Sequence, residues 1–250
     1  MGDKNLNDLL RWSIENTASS GPDGTTTTGE AEAAPRSTLN REALAALMGG
    51  PSDADLMRES MEAIVSPDPE VTLESRLTAF DNLEQLIESL DNANLLSKLG
   101  LWTPLLGCLA HEEAEIRLMA AWCVGTAVQN NEPSQERLVA LGGVERLVRM
   151  AVGKRLLASS AVNGEAAGDK EKKDGEKEEE EETKNVRRKA LYALSSAVRN
   201  YQPAMDVCVA ELRRQGQGEH VGDEGKAIDA TDMDAVDTVI NGLRNKVTSA

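Results

Sequence analysis

Aromatic side chains are nearly missing from this chain, with three Trp, two Tyr and one Phe in 250 residues. A core must therefore come from Leu, Ala, Val and Ile, which the 40% hydrophobic content can supply and which suits helix packed on helix. Positive charge is short too. Lys and Arg number 27 against 43 Asp and Glu, for a formal charge of −16 and a pI near 4.6. That balance lacks the basic footprint of a nucleic-acid or anionic-membrane binder. Cysteine is limited to Cys108, Cys123 and Cys208, isolated from one another and never in a CxxC. Such an odd, scattered set suits buried thiols in a reducing compartment. The N-terminal MGDKNLNDLLRWS has neither the basic flank nor the apolar run of a signal peptide, and no apolar stretch reaches the ~20 residues of a membrane helix. The expected location is the cytosol, with room for a nuclear pool.

Catalytic motifs are lacking as well. Only His111 and His220 are present. HEEAE at 111–115 begins like an HExxH zinc helix, but Glu115 stands where the second histidine must fall one turn on. No GxxxxGK[ST] or GxGxxG loop is there to cradle a phosphate, and no GxSxG elbow presents a serine. No cysteine has a histidine partner within its repeat. The carboxylate pairs lie in charge runs or on solvated helix faces. The sequence points to a non-enzyme with no cofactor and no metal, acting by binding.

What is present is repetition. Met119–Pro133 reads MAAWCVGTAVQNNEP, and seventy residues on Lys189–Pro203 reads KALYALSSAVRNYQP. The pair shares Ala120/Ala190, Ala127/Ala197, Val128/Val198, Asn130/Asn200 and Pro133/Pro203, with Ile116-Arg117 opposite Val186-Arg187 upstream. From Val71, Leu73, Leu77, Phe80, Leu83, Leu86/Ile87 and Leu90 recur at helical spacing. Sliding that helix by 41 residues sets Leu83 on Val124 and Ile87 on Val128, and a slide of 42 sets Leu99-Gly100 on Leu141-Gly142. Each unit reads as a long helix, a turn and a shorter helix containing Leu-Gly. A period of 41–42 falls in the armadillo/HEAT range of about 40–47. The third unit is delayed by an acidic run; between Gly164 and Thr183 ten acids face four lysines. The run is read as a solvated, unfolded insertion.

Upstream, Leu6–Glu15 places Leu6, Leu9, Leu10 and Ile14 on one helical face, and a Ser/Thr/Gly/Ala tract follows as a flexible tether. The tethered helix either docks on its own core or serves as a ligand for a partner. Leu39–Met48 reads as helical, and a second short helix near Ala54–Val65 has Ser52 or Asp53 as N-cap. At the far end Met233, Val236, Ile240, Leu243 and Val247 make one apolar stripe, as a terminal cap requires. The expected organisation is a short amphipathic segment (1–16), a flexible linker (17–38) and an armadillo-like domain (39–250). Within it lie a repeat core at about 71–212, a disordered acidic insertion at about 158–184 and a capping helix at about 232–247. The fold class is all-α, a short armadillo-like right-handed helical solenoid, expected to be a monomer.

Removing the apolar positions leaves a stripe on each long helix: Asp81, Gln85 and Ser89; Trp122, Thr126 and Asn130; Tyr192, Ser196 and Asn200. Asn92, Asn94, Asn131 and Arg199 extend an amide-rich edge at the helix ends. The stripes read as a recognition surface; the competing reading packs Trp122 and Tyr192 between repeats and uses the amides as caps. Importin-type armadillo proteins hold peptides with a Trp and an Asn one turn apart. Thr126 and Ser196 stand where those asparagines belong, so a nuclear-import receptor is not indicated.

The blocks LLRWSIEN, GGPSDADLMRESMEAI, AFDNLEQLIESLDNAN, LGLWTPLL, AAWCVGTAVQNN and ALYALSSAVRNYQPAMD resemble, nearly end to end, the Fes/HspBP family. These are armadillo-type nucleotide exchange factors for seventy-kilodalton heat-shock chaperones. The close DMDAVDTVINGLRNK resembles the short filamentous-fungal branch, while the acidic insertion departs from the usual short loop and a further repeat of longer members is missing. The resemblance implies a co-chaperone whose concave wall embraces the chaperone's ATPase domain and promotes ADP release. It implies contact through Gln85, Ser89, Asn92, Ala93, Asn94, Thr126, Asn130, Asn131, Arg199 and Asn200, Ala93 being small enough to admit a partner's backbone. It further implies that Leu9, Leu10, Trp12 and Ile14 visit the chaperone's peptide-binding domain and assist substrate release. The other reading is an armadillo adaptor that binds a different protein without exchange activity.

Overall fold

Three of the helices start behind a side chain that caps them. In the computed structural model, which describes residues 50–156, 181–221 and 227–249, Ser52, Thr72 and Thr183 are extended and accept from Asp55, Ser75 and Val186 backbone N–H groups. They open α1 (Asp53–Val65), α2 (Leu73–Ile87) and, further on, α8 (Lys184–Val198). Between them lie α3 (Leu90–Lys98), α4 (Trp102–Gly107), α5 (Ala114–Val128), α6 (Glu132–Ala140) and α7 (Gly143–Ala151); α9 (Gln202–Arg214) and α10 (Met233–Ser249) follow. The described residues are all-helical, apart from short 3₁₀ turns and one isolated bridge. The segment 1–16, the linker 17–38, the Leu39–Met48 helix and most of the acidic run lie outside the described residues.

Packing follows the repeat. The elements α1, α2, α5, α8 and α10 contact one another in that order, as a row of helices side by side. The central α5 is buried nearly all round, from Ile116 through Val128, which is why its sequence is Ala, Val, Cys and Gly rather than amphipathic. Gly125 is a packing requirement: a Cβ there would lie 2.6 Å from the Tyr192 ring and 3.0 Å from the Ala193 Cα. At the far end Val236, Val239, Ile240, Leu243 and Val247 bury the inward stripe of α10.

The unit is a helix triplet, long–short–short, rather than the long-plus-short pair expected. Gly100 (φ +70°) splits LLSKLGLWTPLL into α3 and α4, and Gly142 (φ +67°) splits the next unit into α6 and α7. A side chain strongly disfavours that left-handed backbone, so the Leu-Gly pair is a helix stop. The first long helix also ends earlier than the apolar spacing suggested. It stops at Ile87, Ser89 becomes the N-cap of α3, and Leu90 is 56% exposed. Asn92 accounts for the turn, donating to Leu86 O (3.0 Å), a carbonyl in the last turn of α2, and to Asp53 Oδ2 (2.8 Å).

An arginine sits at the fourth position of α2, α5 and α8, and the three play a common part. Arg76 donates to Ser66 O (2.7 Å), Arg117 to His111 O (2.8 Å) and Glu112 O (2.7 Å), and Arg187 to Ala151 O (3.3 Å). Each guanidinium satisfies carbonyls of the segment before its helix. Arg117 also forms two 2.7 Å bonds with Glu182. The acidic run is therefore not solvated to its end. Glu182 is buried, its backbone N–H donates to Gly153 O (2.8 Å), and Lys154 and Glu181 form an antiparallel bridge. A buried arginine needs a counter-charge, and this carboxylate supplies it.

Candidate functional site

A line of partly exposed side chains runs across the long helices, and contacts link it along the row. Thr126 Oγ1 on α5 donates to Glu84 Oε1 on α2 (2.7 Å). One turn before Thr126, the Trp122 ring carries the Lys189 ammonium of α8, with Nζ 3.4 Å from its centroid and 5.6 Å from that of Tyr192. The Tyr192 hydroxyl reaches back to Gln129 Oε1 (3.4 Å). Further along α8, Arg199 Nε donates to Ser195 Oγ (3.2 Å), Nη1 meets Met233 Sδ (3.2 Å), and Nη2 donates to Asp237 Oδ1 on α10. Burial beside the ring lowers the Lys189 ammonium below the usual lysine range, and Glu84 opposes that shift.

Not all expected contact residues lie on this surface. Gln85, Ser89, Asn130 and Asn200 are exposed, while Thr126 and Arg199 are half-buried within the line just described. Gln85 also borders a groove of about 530 Å³ between α1 and α2. Asn92, Ala93 and Asn131 are buried, at 7%, 2% and 2% exposure, so a partner cannot touch their side chains in this arrangement. Asn92 caps α2, and Asn131 donates to Ala127 O (3.1 Å) and Ser134 Oγ (2.9 Å), the capping role that was the competing reading. Asn94 is half-buried, with a buried Oδ1 that has no hydrogen-bond partner. Leu9, Leu10, Trp12 and Ile14 lie outside the described residues.

Two backbone features carry the exposed amides. Asn130 (φ +51°) and Asn200 (φ +56°) both adopt the left-handed conformation that asparagine tolerates best after glycine. Buried Gln135 then braces the second of these turns, its Nε2 lying 3.1 Å from the carbonyls of Ser196, Ala197 and Arg199.

Sequence reasoning selected Trp122 and Tyr192 for the stripe, yet it gave no place to Lys189, Glu84 or Asp237. Lys189 had a usable signal, since it lies three residues before Tyr192 on the same helical face. Asp237 had none, because only the docking of α10 brings it to Arg199. The chemistry of the line is ionic, amide and aromatic. The thiols are set apart from it by burial, which pushes Cys108 up to about 11 and Cys208 up to about 12. Among the described residues no group of His, Cys, Asp or Glu could hold a metal, and no helix is long and apolar enough to cross a membrane. The arrangement suits non-covalent contact with a macromolecular surface.

Comparison with known proteins points the same way. Residues 6–96 match the family model described as nucleotide exchange factor Fes1. A Gibberella zeae protein named Hsp70 nucleotide exchange factor FES1 is 52% identical over 252 residues, covering 100% of both chains. A Neurospora crassa protein named Hsp70 nucleotide exchange factor fes-1 is 48% identical, over 99% of this chain and 100% of its own. A Saccharomyces cerevisiae protein of the FES1 name is 38% identical over 78% of this chain, which spans 56% of that longer relative.

Proposed function

The chain belongs to the Fes1 nucleotide exchange factor family, and from that premise we propose that it binds the ATPase domain of a cytosolic seventy-kilodalton heat-shock chaperone and promotes ADP release. The family comprises exchange factors rather than enzymes. The observation that carries the reading is the linked line from Glu84 through Trp122 and Lys189 to Arg199. Four helices present it as one surface, as gripping a domain requires. Exchange needs no bond made or broken. It needs only that this surface fit a conformation of the chaperone that holds ADP poorly. Coupling is reciprocal, so ADP lowers the affinity of the complex by the factor by which the complex lowers affinity for ADP. A coupling of about 1–3 kcal/mol would speed release roughly 5- to 150-fold if carried by the off-rate. The three free, buried cysteines support a reducing compartment.

The Leu9, Leu10, Trp12 and Ile14 segment completes the proposal as an aid to substrate release. Its apolar pattern is what a peptide-binding domain accepts. Stopped-flow release of a fluorescent ADP analogue from the chaperone, titrated with this protein, tests the main claim. A rate that climbs and saturates supports exchange. A flat rate despite a stable complex would leave an adaptor.

A further inference from the structure

Across α2, α5 and α8 the side-chain charge on the open side changes sign, before Asp234 and Asp237 of α10 return it to acid. The repeat makes the comparison direct, because residues 88, 129 and 199 are equivalent by the offsets of 41 and 70. They are Glu88, Gln129 and Arg199. At the next equivalent set, Asp81 is followed by Trp122 and Tyr192, and Thr78 and Met119 are followed by Lys189. The exposed charges on this side are Asp81 and Glu88 on α2 and Arg188 on α8, with Trp122, Thr126 and Gln129 of α5 between them; Glu84, Lys189 and Arg199 are half-buried and engaged with Thr126, Trp122 and Asp237. In a chain with 43 acids to 27 bases, α8 contains four bases and no acid.

Helix stability does not explain this placement; it opposes it. A helix favours acids in its first turn and bases in its last. The first turn of α8 holds no acid, and Lys184, Arg187, Arg188 and Lys189 crowd its N-terminal half. The last turn of α2 holds no base, while Glu84 lies in it and Glu88 is the C-cap. Arg187 is drawn to Ala151 O and Glu181 and Lys184 to Thr248 O, so local bonding accounts for those two. Arg188 is exposed one turn before Tyr192, and Asp81 is exposed one turn before Glu84.

We infer that this graded face fixes the direction of docking. The proposed chaperone surface presents basic side chains where it meets α2 and acidic side chains where it meets α8. The inference rests on the exchange-factor reading and adds to it the chemistry of the partner at each end. Rim charges of this kind act on association rate and its salt dependence.

The test measures the association rate of the full chain with the ADP-loaded chaperone, at low and at about 0.5 M salt, where the screening length has shrunk to a few ångströms. The variants are Arg188→Glu on α8 and Asp81→Lys with Glu88→Lys on α2. Both are expected to slow association roughly 3- to 10-fold at low salt and to approach wild type at high salt. The α2 variant discriminates, because it makes the chain less acidic. If net charge alone governed encounter with an acidic partner, that variant would bind faster. Acceleration by either variant, or a deficit that salt does not relieve, overturns the graded face while leaving exchange intact. A wild-type chain that forms no complex at all overturns the exchange reading, and this inference with it.

Discussion

Arg117 and Arg199 each reach out of one long helix to a carboxylate on a neighbouring segment, but their settings are opposite. The Arg117–Glu182 side chains are 4% and 0% exposed, and the arginine also satisfies two backbone carbonyls. The Arg199–Asp237 side chains are 32% and 49% exposed, at the end of the open line of contacts. The first pair lies at the N-terminal ends of the long helices, where the repeat turns arginine inward to hold segments together. The second joins the C-terminal end of α8 to the first turns of α10, where side chains remain available. Burial therefore assigns the roles: one pair serves the fold, the other the surface.

The widest separation between these regions should come from Glu182→Ala. It leaves the Arg117 guanidinium buried without its counter-charge, an arrangement that costs about 3–5 kcal/mol. Urea unfolding should show the loss, and adding Arg117→Met should recover part of it by removing the stranded charge. A loss below about 1 kcal/mol would mean that water or another group reaches Arg117, and the sealed pair would be misassigned.

Gly125→Ala tests the junction between the two regions. Helix propensity alone would favour alanine by about 0.5–1 kcal/mol. The added Cβ meets the Tyr192 ring at 2.6 Å and the Ala193 backbone at 3.0 Å, and backbone yields little. Overpacking of about 1–3 kcal/mol should win, lowering the melting temperature and displacing Tyr192 from Lys189. An unchanged melting temperature would show that α5 and α8 slide apart freely. Smaller again, Asn200→Ala should cost about 1 kcal/mol for a left-handed alanine, while Asn200→Gly should be neutral. A difference in exchange between Asn200→Gly and wild type then measures the amide itself, free of backbone strain.

Much of this was legible beforehand, and the rest was hidden for physical reasons. Copied blocks gave the long helices, because a repeat must bury the same positions each time. The pairing of Gly100 with Gly142 is visible in the sequence, but apolar spacing runs on through both, and only the left-handed backbone there divides each stretch into two short helices. The amides misled more. Asparagine serves equally as a cap and as a contact, and spacing cannot separate Asn130, exposed, from Asn131, buried beside it. Ala93 shows the consequence: with 2% exposure, Ala93→Arg would force a guanidinium into a closed site and lower stability, so lost binding would report misfolding rather than contact. Glu182 looked like one more residue of a solvated acidic run. Only the fold brings it to Arg117, 65 positions away.

The finest test asks whether the open pair matters for anything except binding. Asp237→Asn keeps the shape of the side chain and removes its charge. Because both partners contact solvent, stability should change by less than about 1 kcal/mol, and that change should fade with added salt. Exchange should respond more than stability does. Arg199 would keep Ser195, Met233 and a neutral acceptor at Oδ1 but lose the charge that tightens Nη2, so the concentration of this protein needed for half-maximal ADP release should rise. The maximal release rate should hold, because the chaperone conformation selected is unchanged. Asp237→Glu, which restores the charge one methylene further out, should recover part of the affinity. A fall in melting temperature as large as that of Glu182→Ala, with exchange untouched, would place this pair with the sealed one, and the division between fold and surface would fail at α10.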